Sequence, residues 1–153
     1  PGNLEDVFVR DRVAGTTRLV SKASNGTPFT TSSDQPAIAD NGRFVVFRSF
    51  QSGAGISGSR VFVRDLVLAT TQSLPVPPGA TVCEEPKVDD LGNVVAQCGS
   101  STGGLAQQAW FWNAGSQSWT LLSRNAAQAT GNGTSGNQTD LSADGTVVVF
   151  DSE

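Results

Sequence analysis

The sequence predicts an all-β fold, and three observations support this prediction. The 153 residues include 17 glycines and 7 prolines, a proportion typical of a chain with many turns between short strands. No window of about 11 residues has a convincing apolar period of 3.6, so little helix is expected. Short apolar runs bounded by turn residues recur instead, and the pentapeptide "VFVRD" occurs twice, at 7–11 and 61–65.

The apolar runs belong to a unit of about 50 residues that occurs three times. Its first landmark is a turn followed by an apolar run, found as "DNGRFVVF" (40–47), "DLGNVVAQ" (90–97) and "ADGTVVVF" (143–150). The turn glycines of these three runs are 50 and 53 residues apart. The pentapeptide or its counterpart "AWFWN" comes next, at 7–11, 61–65 and 109–113, and a third strand follows at 15–21, 69–75 and 116–123. Such a period indicates repeated structural units.

Four short strands in a unit of this length predict one blade of a β-propeller. We expect strands over about 35–39, 43–48, 60–65 and 71–75 in the second copy, and over about 84–88, 93–98, 108–113 and 118–123 in the third. Runs such as "FVVF" are apolar at consecutive positions, as in strands covered on both faces. The pairs Asn41-Gly42 and Asp144-Gly145 supply residues that tolerate positive φ in the turns. A two-sheet sandwich with chance repetition is the alternative.

The stretches "ADNGRFVVFRS", "SRVFVRDLVLATTQSL" and "SADGTVVVFDSE" resemble the TolB-type, or WD40-like (PD40), propeller repeats of secreted bacterial proteins. In that pattern Asp-Gly precedes an apolar strand ending in Phe-x-Ser, and a later apolar strand ends in Arg-Asp. The resemblance covers nearly the whole chain and implies the blade without implying a ligand or an activity. The third copy departs from it, with Gln97-Cys98-Gly99 for Phe-Arg-Ser and "WFWN" for "FVRD".

The sequence is expected to begin and end in the middle of a blade. Whole blades are expected at 35–80 and 81–127, a half-blade of two last strands at 1–34, and a half-blade of two first strands at 128–153. Joining the halves within one chain would give three blades, whereas propellers have about four to eight. Open strand edges favour pairing with another chain. We expect completion by another copy, in a closed ring of six blades or an open filament, or by further repeats of a longer chain.

The two cysteines, Cys83 and Cys98, are predicted to form a disulfide. Cys83 lies seven residues before Asp90, Cys98 lies seven residues after Leu91, and these are the two middle residues of the turn at 89–92, so an antiparallel hairpin would place the cysteines opposite each other. Two buried free thiols are the alternative. A disulfide indicates an oxidising compartment, either the periplasm or the exterior of the cell.

The composition argues against several classes of function. A net charge of −4 does not favour nucleic acid or an anionic membrane as partner, and no apolar run approaches the roughly 18 residues of a membrane span. The chain has no histidine and no tyrosine, which removes the commonest general base. Glu84 and Glu85 would point to opposite faces of a strand, and Asp89 and Asp90 lie in a turn. We therefore predict a chain that is not an enzyme and needs no cofactor.

Three motifs match the N-glycosylation pattern, at Asn25, Asn132 and Asn137. Unmodified polar loops are the alternative for all three. The best set of oxygen ligands for calcium is Glu5, Asp6 and Asp11, although the set lacks the spacing of an EF-hand loop.

Structural roles are the alternative for the charged and aromatic residues. Turn capping by the acids and ion pairs of Arg10 and Arg64 with rim carboxylates would account for the charges. Trp110, Trp112 and Trp119 would stack on sugar rings if exposed, but we expect Trp110 and Trp112 to share a face and pack between blades.

The sequence thus predicts a secreted or periplasmic, non-catalytic propeller-repeat protein. Its expected role is a scaffold that joins other copies of itself through the terminal half-blades, with a head-to-tail fibre subunit as one form of it. The alternative is a glycan-binding or calcium-binding propeller module excised from a larger secreted protein.

Overall fold

The computed structural model describes residues 4–51, 58–100, 106–124 and 133–153. These residues form twelve strands and no helix, so none of their elements is a helix that could cross a membrane. The strands are β1 (Phe8–Asp11), β2 (Thr16–Leu19), β3 (Ser33–Ile38), β4 (Phe44–Ser49), β5 (Arg60–Asp65), β6 (Thr70–Ser73), β7 (Val82–Val88), β8 (Val94–Gly99), β9 (Gln108–Asn113), β10 (Ser118–Leu121), β11 (Ser135–Leu141) and β12 (Val148–Ser152). The predicted all-β fold is confirmed.

The strands form four antiparallel sheets. Two sheets have four strands, in the orders β3-β4-β5-β6 and β7-β8-β9-β10, and two have two strands, β1-β2 and β11-β12. The predicted strand positions therefore hold in both four-stranded sheets, and 60–65 and 108–113 have the predicted bounds. β3 and β7 each begin two residues earlier than expected, at Ser33 and Val82.

A β-bulge explains the longer first strands. In β3 the register shifts between Asp34 and Ala37, and in β7 it shifts between Glu84 and Lys87. The bulges include Gln35 with φ of 50° in β3 and Glu85 with φ of 49° in β7. A bulge adds one residue to its strand and lets pairing continue beyond it, which regular alternation in the sequence cannot show.

In the turns after β3 and β11, the glycine and the residue before it have different roles. Gly42 and Gly145 have φ of 71° and 69°, a region that glycine enters without the steric cost met by other residues. Asn41 and Asp144, which precede them, do not have positive φ, so that part of the prediction was wrong. Their side-chain oxygens instead accept hydrogen bonds two residues ahead, from the amides of Arg43 and Thr146.

Asp144 is predicted to titrate well below an ordinary aspartate. Its carboxylate accepts hydrogen bonds from Ser142 Oγ and from the Thr146 amide and hydroxyl, which lowers its pKa from 3.8 to about 2. The folded-state pKa is depressed, so the stabilisation is fully present above pH 3.8 and is lost as the pH falls through about 2. An NMR titration should show this pKa, and S142A should raise it. A wild-type carboxyl titrating near 3.8 would contradict the assigned bonds.

The Asp of the recurring pentapeptide closes the turn after its strand. Asp11 accepts hydrogen bonds from the amides of Val13 and Ala14. Asp65 and Asn113 perform the same role after β5 and β9, with the amides of Val67, Leu68 and Ser116 as donors. The three copies therefore keep one turn device even where the sequence changes from Asp to Asn.

The Arg of the pentapeptide bonds across to a threonine. Arg10 donates to Thr17 Oγ1 at 2.9 Å, and Arg64 donates to Thr71 Oγ1 at 2.8 Å. Each pair occupies directly opposite positions on neighbouring strands. The expected pairing of these two arginines with rim carboxylates was wrong, because the threonine hydroxyl lies within reach on the adjacent strand.

The core consists of two clusters separated by the first four-stranded sheet. Val46 belongs to the cluster between the two four-stranded sheets, whereas Val45 and Phe47 belong to the cluster shared with β1-β2. All three side chains are buried. Consecutive residues of "FVVF" thus face different clusters, which confirms that this strand is covered on both sides.

Arg48 ties the two four-stranded sheets together. Its guanidinium donates twice to the Asp34 carboxylate, at 2.7 and 2.6 Å, and once to Glu84 of the next sheet at 2.6 Å. Its side chain is only 17% exposed. These charge-assisted bonds and the Arg48 stem hold the sheets in contact.

Replacing Arg48 with methionine is expected to lower the free energy of unfolding by about 1 to 3 kcal/mol, after allowance for solvent screening. The loss arises because Asp34 and Glu84 keep their charge without their partner. R43M is the control, since Arg43 holds an ion pair with Asp65 within one sheet and its side chain is 41% exposed. Chemical denaturation should give a smaller loss for R43M, and equal losses would contradict a tie between sheets.

Candidate functional site: two open sheet edges

The candidate site consists of the outer edges of β1 and β12. In the four-stranded sheets the equivalent strands, β5 and β4, pair with each other. Within the described residues, β1 pairs only with β2 and β12 only with β11. The two edges are therefore complementary halves of a pairing that the chain already contains twice, as β4-β5 and β8-β9.

The backbone groups that face each open edge follow from the ladders on the closed side. The Val20 amide donates to the Val7 carbonyl at 2.8 Å, and the Ser142 amide donates to the Val147 carbonyl at 2.9 Å. Since antiparallel residues alternate between the two sides of a strand, Phe8 and Arg10 present their N–H and C=O groups to the open edge of β1. On β12 the outward groups belong to Val148, Phe150 and Ser152.

Apolar side chains along these edges are exposed where their repeat equivalents are buried. Phe8 is 59% exposed, whereas Phe62, at the same place in the second "VFVRD", is 6% exposed. Val149 is 65% exposed, whereas its equivalent Val46 is 0% exposed. Identical or similar sequence thus has opposite burial, because no described strand or sheet lies beside Phe8 and Val149 where neighbouring sheets cover Phe62 and Val46.

Each edge lies beside a groove. A groove of about 300 Å³ separates β1 from the face of β3, and its lining includes Phe8, Val9, Ile38 and Val45. A groove of about 570 Å³ lies along β12, lined largely by polar side chains of β7 and β11. Ile38 is exposed in the first groove, although its equivalent Val88 is 6% exposed and buried against the preceding sheet.

Successive sheets make repeated contacts through their turns. The Asn41 amide donates to Asp90 Oδ1 at 2.8 Å, and the Asp90 amide donates to the Ala143 carbonyl at 2.9 Å. Asp40 occupies the equivalent position to Asp90 and is exposed. In both cases the turn of one sheet donates to the same repeat position of the next sheet, Asp90 or Ala143.

The predicted disulfide between Cys83 and Cys98 is present, with the Cα atoms 4.1 Å apart. The two residues lie directly opposite each other on β7 and β8. The bulge near Glu85 shifts the strand register by one residue between the cysteines and the turn. Residue pairs counted from the predicted turn centre are therefore wrong by one residue between the bulge and the turn, although the predicted cysteine pair is right.

The cystine occupies a position that holds two serines in the other sheets. The turn between β7 and β8 is one residue shorter than its counterparts, so Cys98 corresponds in space to Ser49, and its alignment with Arg48 in the sequence was wrong. Ser33 and Ser49 lie opposite each other with their hydroxyls 2.9 Å apart, and so do Ser135 and Ser152. One cross-strand position therefore carries a hydrogen bond twice and a covalent bond once.

The acids considered for calcium lie in separate interactions. Asp6 accepts a hydrogen bond from Ser21 Oγ at 2.6 Å, and Asp11 caps the turn after β1. Glu5 contributes its backbone, with its carbonyl accepting from the Ser33 amide. Among the residues described, no group of three or more acidic or cysteine side chains is arranged to hold a metal ion.

The three tryptophans pack into the core between the four-stranded sheets. Trp112 is 3% exposed and lies 5.4 Å from Trp119, measured between ring centroids. Trp119 is half-buried, and its Nε1 donates to the Pro75 carbonyl at 2.6 Å. Trp110 is also half-buried and packs against the same cluster. Their expected packing between sheets agrees with this arrangement.

The predicted glycosylation motifs lie in different surroundings. Asn25 is exposed in a turn, and its side-chain oxygen accepts from the Thr27 amide at 3.0 Å. Asn137 is exposed on β11, and Asn132 lies outside the described residues.

The acidic residues considered for catalysis lie in structural interactions. Glu84 pairs with Arg48, and the Glu85 carboxylate accepts from Gln35 Nε2 at 2.8 Å. Both side chains therefore reach the first four-stranded sheet, and their expected orientation to opposite faces was wrong because the bulge at Glu85 interrupts the alternation. Asp89 is buried and accepts from the backbone amides of Leu91 and Asn93.

No protein-family model matches the sequence, and no curated protein matches it.

Proposed function

We propose that this chain is a non-catalytic structural module that assembles with copies of itself. In the assembly, the open edge of β12 of one copy pairs with the open edge of β1 of the next. The observation that carries the proposal is the contrast between two copies of one pentapeptide. "VFVRD" is an internal strand at 61–65, while at 7–11 it has one strand neighbour among the described residues and an exposed Phe8.

The propeller blade is part of the same proposal. Recurrence of the strand order, of the bulge in the first strand and of the turn-to-turn bonds supports sheets that follow one another as blades. Two copies joined at both edges would close a ring, and copies joined at successive edges would grow as a filament. A further repeat in a longer chain would satisfy the same edges.

The cystine supports a location in the periplasm or outside the cell, since disulfides persist in oxidising compartments. The repeats' resemblance to TolB-type sequences of secreted bacterial proteins agrees with this location. A ligand-binding role has less support, because the tryptophans lie in the core and the candidate calcium ligands serve separate bonds.

Arg10 allows a direct test of edge pairing. R10P removes an N–H that faces the open edge, whereas R10A keeps the N–H and loses the same side-chain bond to Thr17. Sedimentation velocity should show assembly of the wild type and R10A, and an association at least about tenfold weaker for R10P. Circular dichroism checks that all three fold. Equal assembly of R10P and R10A would overturn pairing through this edge.

A further inference from the structure

We infer the register and the receiving surface of this joint: Phe150 of one copy pairs with Phe8 of the next, and Val149 packs on Ile38 of that next copy. The inference rests on the proposed function and adds which residues meet. The occupant of the groove beside β1 is β12 of a second copy.

The register follows from β4 and β5, which have the sequences of the two open strands. Phe47 pairs with Phe62, Val46 with Val63 and Val45 with Arg64. Aligning the glycine turns and the two "VFVRD" strands transfers these pairs to Phe150 with Phe8, Val149 with Val9 and Val148 with Arg10.

The backbone polarity of both edges agrees with this register. Phe8 and Arg10 present their N–H and C=O groups outward, and so do Phe150 and Val148. The register therefore places hydrogen-bonding residues opposite hydrogen-bonding residues. A slip of one residue would oppose outward groups with inward ones and would turn every side chain to the wrong face.

The side chains of β12 show the same two-sided arrangement as β4. Val148 and Phe150 are half-buried, whereas Val147 and Val149 are exposed, at 64% and 65%. In β4 the equivalent of Val149 is Val46, which is buried in the cluster that faces the following sheet. Val149 thus points to the side where a following sheet would lie.

The receiving surface is identified from the residues that share a buried cluster with Val46. Val46 shares its cluster with Val88 of β7, and Ile38 occupies the position of Val88 in β3. Ile38 is 51% exposed and lines the groove between β1 and β3. Two exposed apolar side chains, on β12 and β3, therefore correspond to two side chains that the chain buries in one cluster between its own sheets.

Mixing two single-cysteine variants tests the register. V149C of one chain should face V9C of another at a non-hydrogen-bonded pair, where Cα atoms approach to about 4.5 Å and a disulfide is accessible. Each chain carries one introduced cysteine, so the introduced cysteines can crosslink only between chains. The native cystine leaves no free thiol among the described cysteines. V147C mixed with V9C is the control, because residue 147 lies on the same face as residue 149 but two residues out of register with Val9.

The expected result is disulfide formation at least about tenfold faster for V149C with V9C than for V147C with V9C. Equal or faster crosslinking of the control would overturn the register. If sedimentation shows that the mixtures assemble but neither pair crosslinks, the register is overturned while the proposed function stands. Mixtures that do not assemble would overturn the proposed function itself.

The receiving surface has its own test. I38K should weaken association at least about tenfold, because a charge would lie against Val149 of the other copy. V67K is the control, since Val67 is 72% exposed in the turn after β5. Equal association of I38K and V67K would show that Ile38 does not lie in the joint.

Discussion

Replacing both Cys83 and Cys98 with serine is expected to lower the free energy of unfolding by about 3 kcal/mol. The disulfide joins residues 15 apart, and a loop of that length restricts the unfolded chain by about this amount. Serine is the informative replacement because the equivalent position already holds a pair of hydrogen-bonded serines in two other sheets. Urea denaturation at one fixed protein concentration measures the loss.

Two further variants separate the covalent bond from local packing. C83A/C98A should lose more than the serine variant, since alanines cannot form the hydrogen bond expected between the two serines. S33C/S49C should form a second disulfide at the matched position and should raise stability if its geometry is unstrained. A serine variant as stable as the oxidised wild type would show that the cystine does not stabilise the fold.

Replacing Gly145 with alanine is expected to cost about 2 to 4 kcal/mol. Part of the cost comes from φ of 69°, which is unfavourable for alanine. The larger part comes from Asp89 of the neighbouring sheet, since a Cβ at position 145 would overlap its carboxylate. Asp89 is 1% exposed and is fixed by the amides of Leu91 and Asn93, so it cannot move away.

Gly42 is the matched control for this substitution. It occupies the equivalent turn with φ of 71°, and a Cβ there would meet nothing within 4 Å. G42A should therefore cost only about 1 kcal/mol, the price of the backbone conformation alone. The difference between the two variants, measured by denaturation, reports the packing of the last turn on Asp89. Equal losses would mean that this turn does not pack closely on the preceding sheet.

The repeat made most of the fold predictable from the sequence. Period, turn glycines and consecutive apolar residues were sufficient to place β5 and β9 within their observed bounds. The bulges at Gln35 and Glu85 were not predictable, because neither residue type is one that typically adopts positive φ. The partner of Arg64 was also missed, since Thr71 becomes its neighbour only through the strand register.

The candidate site was predictable in position but not in its surfaces. Comparison of the copies indicated that strands are missing beside β1 and β12. The exposure of Ile38 could not be inferred from its own sequence, because it depends on whether another sheet covers β3. A usable signal existed in the alignment of Ile38 with Val88, a buried core residue of the next copy.

The most direct test of self-assembly is the mass of the unmodified chain in solution, measured by light scattering over a range of concentrations. A single chain has a mass of 15.9 kDa. Edge pairing predicts either a discrete dimer of twice that mass or polymers that lengthen with concentration, and removal of residues 1–12 should abolish both. A folded chain that stays at 15.9 kDa at the highest concentration would contradict self-assembly.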